Sequence, residues 1–209
     1  MPPKPAAGGS ILPAEERREL TVETVIELAA EQNPNDITTA AIAARMGVTQ
    51  GALFRHFSSK DAILQAVVGW VSERLLARVD EALAAAHGPA AALEAVFMVH
   101  IAFVSKHPGA PRLLFGELQR QGDSTARRMV QTLMQGYRAR LMRVLADGQL
   151  RGAFDPDLDQ EAAATLFIGC IQGLVMQSLM SGRVADLRKQ AQRVFPLYLR
   201  GLLNPAGPA

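Results

Sequence analysis

Residues 38–64 of this 209-residue chain read TTAAIAARMGVTQGALFRHFSSKDAIL, and this stretch decides the fold. Thr38 is placed to cap a short helix through Met46, because a threonine hydroxyl accepts a hydrogen bond from a first-turn backbone N–H. Gly47 is expected to end that helix, since a residue without a Cβ takes the left-handed conformation at little cost. Thr49 is expected to cap a second helix. Its inward face is predicted to consist of Leu53, Phe54 and Phe57. Two short helices joined by so tight a turn indicate a helix-turn-helix.

The charge of this stretch favours a polyanionic partner. Between residues 37 and 60 the charged residues are Arg45, Arg55 and Lys60, with no acidic residue among them. A local charge of +3 is the sign that a phosphate backbone attracts. The overall net charge of +2 carries no such argument. The next helix is predicted to open at a capping box formed by Ser58 and Asp61, whose N-terminus is a natural phosphate contact.

The outward side of the second helix presents groups that can read base edges. Gln50 can hydrogen-bond an adenine edge, Ala52 is small enough to meet a thymine methyl, and Thr49 can reach a base or a phosphate. These residue types predict that this helix enters the major groove of DNA.

The stretch resembles the TetR family of one-component bacterial transcriptional regulators, in detail over residues 14–64. The resemblance rests on Thr38, Ile42, Ala43, Gly47, Val48, Thr49, Gly51, Leu53, His56, Phe57, Ser59, Lys60, Asp61 and Leu64. It implies DNA contacts through Thr38, Thr49, Gln50, Gly51, Arg55, His56 and Lys60, to which the local charge adds Arg45. The family usually has a tyrosine, whose hydroxyl binds a phosphate, where this chain has Phe54; the phenylalanine keeps the packing without that bond.

Hydrophobic periodicity and Gly/Pro punctuation predict an all-α protein of about nine helices. The fourth is expected from near Ser59 toward His87, the fifth over 90–107, the sixth over 112–120 and the seventh from about 123 to 152. The eighth is expected to open at Pro156 and Asp157 and run to about 182, and the ninth over 184–203. We expect a disordered arm over residues 1–12, a three-helix helix-turn-helix domain over 13–60, and a larger helical domain for ligand binding and dimerisation over 61–209. Helix 4 keeps Ile63, Val67, Val71 and Leu75 on one face. It is therefore expected to run from the small domain into the large one.

The composition favours a cytoplasmic protein. A single cysteine, Cys170, excludes an internal disulfide and is typical of a reducing compartment. The first residues, MPPKPAAGGSILP, lack the apolar core of a signal peptide, and no run of 18 apolar residues occurs.

Eight apolar, aromatic or polarisable residues stand out on helices 4 to 8. They are Trp70, Phe97, His100, Phe103, Phe115, Met134, Tyr137 and Phe167. Such stripes at helical spacing usually fill a core. The resemblance implies instead that part of this set lines a pocket for a small, mostly apolar effector.

The last two helices offer a candidate dimer interface. Gly169 and Gly173 lie four residues apart, a spacing that admits another helix, either within one subunit or across an interface. The resemblance implies that these helices pack against their copies in a homodimer. The candidate interface residues are Gly169, Gly173, Leu174, Gln177, Leu187, Ala191, Val194 and Tyr198.

Other chemistry finds little support in the sequence. The histidines, His56, His87, His100 and His107, have no suitably spaced carboxylate or cysteine beside them, so we expect no metal site. No phosphate-binding loop, nucleophile elbow or dinucleotide fingerprint occurs, so we expect neither a cofactor nor an enzyme.

The sequence thus predicts a ligand-responsive regulator, a repressor that binds a palindromic double-stranded DNA operator as a dimer and is released by its effector. Two alternatives stay open: a ligand-binding or scaffolding dimer without operator binding, and an α-helical enzyme with a fused helix-turn-helix.

Overall fold

A computed structural model of the chain describes residues 13–203, so the predicted arm over residues 1–12 lies outside the described residues. Within that range the chain forms nine α-helices. They are α1 (Ala14–Glu31), α2 (Thr39–Arg45), α3 (Gln50–Phe54), α4 (Lys60–Ala85), α5 (Pro89–Lys106), α6 (Gly109–Gln119), α7 (Thr125–Leu150), α8 (Gln160–Ser181) and α9 (Leu187–Arg200). Short 3-10 turns precede α2 and α9, at Pro34–Asp36 and Val184–Asp186. The predicted all-α class and helix number are confirmed.

The helix-turn-helix forms where its caps predict it. The Thr38 hydroxyl accepts from the backbone N–H of Ala41, and the Thr49 hydroxyl accepts from Ala52, each at 3.1 Å. Gly47 takes a φ of +67°, the left-handed conformation that ends α2. Ile42 of α2 and Leu53 of α3 are buried, and they join the two helices to the core.

Two predicted helix starts differ from the structure. Helix α4 is capped by Ser59, whose hydroxyl accepts from Ala62 at 3.1 Å, so the capping box predicted from Ser58 is wrong by one residue. Helix α8 begins at Gln160 rather than near Pro156, because Asp159 caps it through the N–H of Ala162. The residues before it are held as a loop, since the Gln149 amide donates to the backbone oxygens of Asp155, Pro156 and Leu158.

The apolar core is continuous from α1 to α9. Helix α4 contributes Ile63, Val67, Val71 and Leu75, all buried, which confirms its predicted inward face. The helix packs against α1, α5 and α7. At 1.5 Å per residue it is about 39 Å long, enough to reach from the helix-turn-helix to the far end of the bundle.

Helix α6 packs closely against α1. A Cβ on Gly109 would overlap the backbone oxygen of Ile26 and lie 2.7 Å from the nitrogen of Ala30. One turn later, the Arg112 guanidinium donates to the oxygens of Ala29 and Ala30 at 3.3 and 3.2 Å, satisfying carbonyls near the end of α1.

Helices α5 and α8 are long and apolar enough to cross a membrane by length and composition alone. Both carry residues of the continuous core, including Phe97 on α5 and Phe167 on α8. A core helix of a water-soluble protein has the same composition, so these two helices are not a membrane signal.

Candidate DNA-binding surface and effector cavity

The N-terminal half of α3 is open to solvent. Thr49, Gln50 and Gly51 are exposed, and Arg55 is exposed just after the helix. Phe54 was expected to face inward beside Leu53 and Phe57, but it is 46% exposed, whereas the other two are buried. It lies one position beyond Leu53, about 100° around the helix, which carries it out of the inward face.

Neighbouring helices hold several of these side chains in place. The Gln50 amide donates to the Thr39 hydroxyl of α2 at 3.2 Å. The Arg18 guanidinium of α1 donates to the backbone oxygen of His56 at 2.6 Å and lies 4.6 Å from the centre of the Phe57 ring. Thr39 and Arg18 were not anticipated from the sequence, because both partners are distant in the chain.

The three basic residues of this surface differ in their partners. Arg45 is paired with Glu31, at 3.1 Å between Nη1 and Oε1 and 2.5 Å between Nη2 and Oε2. This hydrogen-bonded pair lowers the pKa of Glu31 and offsets the charge of Arg45. Lys60 donates to the backbone oxygen of Asn35 at 3.5 Å. The Arg55 side chain has no hydrogen bond or ion pair with any residue between 13 and 203. The charges of Arg55 and Lys60 are therefore less offset than that of Arg45.

A cavity lies between α4, α5, α6, α7 and α8. Its volume is about 80 Å³, part of it open to solvent, which is smaller than the usual range for small-molecule sites. Between residues 13 and 203, no Lys, Arg, Asp or Glu side chain lines it. The lining residues are Val71, Leu75, His100, Phe103, Val104, Ala110, Pro111, Leu114, Phe115, Leu118, Val130, Leu133, Met134, Tyr137, Ile168, Ile171, Gln172 and Val175.

Five of the eight residues proposed from the sequence line this cavity: His100, Phe103, Phe115, Met134 and Tyr137. The other three lie outside it. Phe97 and Phe167 are completely buried and pack edge to face at 5.3 Å. Trp70 packs behind Phe103 at 6.2 Å between ring centres.

Of the wall formed by α6, only Phe115 was proposed from the sequence, although the pattern of the whole wall was visible. Pro111, Leu114, Phe115 and Leu118 repeat at helical spacing, which marks one apolar face.

The polar residues of the lining are Gln172 and a hydrogen-bonded pair, His100 and Tyr137. His100 Nδ1 and the Tyr137 hydroxyl are hydrogen-bonded at 3.0 Å, with the rings edge to face. Burial lowers the pKa of His100 to about 4, so the imidazole is neutral near pH 7. Burial also raises the pKa of the Tyr137 hydroxyl, which stays protonated.

The proposed dimer residues divide into two groups. Leu174, Leu187, Ala191 and Tyr198 are buried within the chain, and the Tyr198 hydroxyl donates to the Ala163 oxygen at 3.1 Å. These four side chains are core and cannot supply a surface. Val194 is half-buried against the same core.

The other face of α8 is the open one. Gly173 is half-buried, Gly169 and Gln177 are exposed, and no atom approaches a Cβ built on either glycine within 4 Å. Their neighbours include exposed Leu166, Met176 and Met180, with Leu197 exposed on α9. We call Leu166, Gly169, Gly173, Met176, Gln177, Met180 and Leu197 the α8–α9 face. Large exposed side chains are concentrated there, and such patches mark interaction surfaces.

Two helices join the cavity to the DNA-binding surface. Helix α4 begins at Lys60 and lines the cavity with Val71 and Leu75. Helix α6 lines the cavity and also reaches the start of α4, because Arg120 bridges buried Glu117 at 3.1 Å and Asp61 at 3.5 Å.

Comparison with protein families matches both parts of the chain. Residues 22–67 match the family described as bacterial regulatory proteins, tetR family. Residues 72–201 match the C-terminal region of YsiA-like protein.

Known proteins of similar sequence include nucleoid occlusion factors named SlmA. The factor from Shewanella sp. strain MR-4 is 25% identical over 172 residues, covering 82% of this chain and 87% of the relative. That from Shewanella amazonensis is 27% identical over 166 residues, covering 79% and 84%.

Solved structures share the fold at lower identity. The ketosteroid transcriptional regulator KstR2 of Mycobacterium tuberculosis has a TM-score of 0.76 at 21% identity, covering 95% of this chain and all of that one. The regulator FadR from Bacillus subtilis, in complex with stearoyl-CoA, has a TM-score of 0.75 at 21% identity, covering 88% and 98%.

Proposed function

Because the chain belongs to the tetR family of bacterial regulatory proteins, a family of transcription regulators, we propose that it is a cytoplasmic repressor that binds a palindromic operator as a homodimer and leaves it when a small, mostly apolar effector fills the cavity. The observation that carries this proposal is that one helix, α4, connects the DNA-binding surface to the cavity. Helix α4 starts shortly after the recognition helix, and its middle turns, at Val71 and Leu75, form a wall of the cavity.

The DNA side of the proposal rests on α3 and its surroundings. Gln50 and Thr49 lie exposed at the N-terminal end of the helix, where base edges are reached first. Arg55, directly after the helix, and Lys60, at the start of α4, supply positive charge. Thr38, Gly51 and His56 stay candidates for contacts to the phosphate backbone, and Arg45 would have to exchange Glu31 for a phosphate.

The proposed dimer follows from the small number of base pairs that one recognition helix can contact. One recognition helix reads few base pairs, so useful specificity needs two helices roughly 34–36 Å apart on DNA. The α8–α9 face is the surface that would join them, since its leucines and methionines are exposed in the described part of the chain, residues 13–203. A two-fold dimer then requires a palindromic site.

The effector side rests on the composition of the cavity, whose walls are apolar except at His100, Tyr137 and Gln172. The Bacillus subtilis relative was solved with stearoyl-CoA, which supports a ligand with a large apolar part. For occupancy to release DNA, the effector must bind the released arrangement better than the bound one.

The test is binding to the DNA upstream of the gene for this chain, measured by fluorescence anisotropy against an unrelated fragment of equal length. Arg55→Glu reverses an unpaired charge at the surface and should weaken binding at least about tenfold. Arg143→Glu makes the same change on α7, beside Asp80 near the opposite end of α4, and should leave affinity within about twofold.

Equal affinity of the wild type for the upstream and unrelated fragments would contradict operator binding. That result would favour a ligand-binding or scaffolding dimer instead.

A further inference from the structure

The polar pair in the cavity leaves hydrogen-bonding capacity unused. His100 and Tyr137 bond to one another, and neither side chain has another hydrogen bond within residues 13–203. In that range the buried side-chain nitrogens and oxygens without a partner are Trp70 Nε1 and Ser105 Oγ. Since His100 Nε2 lacks a partner and is not among them, it keeps accessible surface, and the cavity is the space that His100 lines.

Either tautomer of His100 leaves the pair with one free donor. If the Tyr137 hydroxyl donates to Nδ1, the imidazole carries its proton on Nε2 and can donate from there. If Nδ1–H donates to the phenolic oxygen, the hydroxyl proton of Tyr137 is free instead. A ligand oxygen that accepts one hydrogen bond is therefore satisfied in both cases.

The remaining walls restrict the charge of what lies beside this pair. No cation among the lining residues could neutralise a carboxylate or phosphate, and no anion could neutralise an ammonium. Because burying an unpaired ion costs far more than burying a hydrogen-bonded neutral group, a charged group beside the pair is strongly disfavoured. The imidazole stays neutral as well, so it offers an anion no counter-charge.

We propose that the cavity selects an uncharged, largely hydrocarbon effector whose one polar group inside the protein is a carbonyl-type oxygen, received by the His100–Tyr137 pair. Ketones, esters and thioesters have this chemistry, whereas an ionised fatty acid lacks it when its carboxylate must enter the cavity. The proposal rests on the cavity being the effector site of the proposed regulator, and it adds the polarity of the ligand.

The chain carries its own reporter for a test. Trp70 is the single tryptophan, and its ring lies 6.2 Å from that of Phe103, which lines the cavity. Titrations of Trp70 fluorescence with 2-decanone, decane and decanoate at pH 7.5 compare a carbonyl, no oxygen and an ionised carboxylate on chains of equal length.

In the wild type, 2-decanone should bind roughly 2- to 12-fold more tightly than decane, the range of one net neutral hydrogen bond. Decanoate should bind at least about 100-fold more weakly than 2-decanone, because its charge would be buried without a partner.

The decisive variant is the double substitution His100→Phe with Tyr137→Phe. It keeps two aromatic rings and removes both polar partners together, so no buried group is left unpaired. Decane should bind it as it binds the wild type, and the advantage of 2-decanone should disappear. Unchanged decane binding also shows that the variant is folded. If it fails to fold, Tyr137→Phe and His100→Asn are titrated instead, each expected to reduce the advantage of 2-decanone.

Two results would overturn the proposal: decanoate binding as tightly as 2-decanone, or an advantage of 2-decanone that survives in the variants. Failure of all three probes to bind the wild type would also overturn it. None of these results touches operator binding, which is measured separately with DNA and without ligand.

Discussion

At the scale of single residues, we expect the proposed DNA-binding surface to use different residues for base contacts and for phosphate contacts. Gln50 is held toward α2 by its 3.2 Å bond to Thr39, so its amide is oriented before DNA arrives. Lys60 lies at the first position of α4, where its charge and the helix N-terminus would both attract a phosphate. Truncation of Gln50 and truncation of Lys60 should therefore change DNA binding in different ways.

Gln50→Ala should weaken operator binding by roughly 1–3 kcal/mol and relax the preference at one base pair per half-site. Lys60→Ala should weaken all sequences about equally and reduce the slope of log affinity against log salt by about 0.9 for each phosphate that the variant no longer binds. Anisotropy titrations over a set of single-base operator variants, at several salt concentrations, measure both quantities. An unchanged base preference in Gln50→Ala would show that Gln50 does not read a base.

At the scale of elements, the α1–α6 contact is made by backbone rather than by side chains. Gly109→Ala should lower the free energy of unfolding by about 1–3 kcal/mol, because the new methyl group meets the Ile26 oxygen and the Ala30 nitrogen, which cannot rotate away. Gly116→Ala is the matched control on the same helix, since no atom lies within 4 Å of its added Cβ. It should raise stability by up to about 1 kcal/mol through helix propensity.

Urea unfolding followed by circular dichroism measures both variants. Equal stability of Gly109→Ala and Gly116→Ala would show that α6 can move away from α1 at no cost in stability.

Most helices were predictable because their ends are determined by residues close by in the sequence. Thr38, Thr49 and Gly47 act through bonds within three residues or through their own φ angle, so the sequence contains all that is needed. Ser58 and Ser59 are both possible caps of α4, and packing of the whole helix decides between them, which explains the error of one residue.

The faces of α8 and α9 were harder to assign. Leu174 and Met176, two residues apart, are both apolar, yet one is buried and the other exposed. When both sides of a helix are apolar, periodicity does not tell core from interface. The same difficulty placed Phe97 and Phe167 in the cavity set, since an aromatic side chain fills a core or lines a cavity equally well.

At the scale of the whole molecule, we expect the α8–α9 face to determine the oligomeric state. Gly173→Arg should leave a single chain folded, because nothing lies within 4 Å of the added Cβ, but it would place a long cation in the proposed interface. Sedimentation velocity should then show monomers, and operator affinity should fall sharply.

Gln131→Arg is the control for charge, since it adds the same cation to an exposed position of α7 and should stay dimeric. A dimeric Gly173→Arg would place the interface on another part of the surface.

The absence of a side chain at Gly109 also determines how α1 and α6 can move relative to one another. A side chain between two helices can change rotamer and so absorb a displacement of several tenths of an ångström. At Gly109 the main chains of α6 and α1 lie in direct contact, with no side chain between them. Three residues later, Arg112 hydrogen-bonds the end of α1. Pro111 and Leu114, on the cavity wall, belong to that helix turn. A displacement of α6 by a ligand in the cavity would therefore be passed to α1 with little loss.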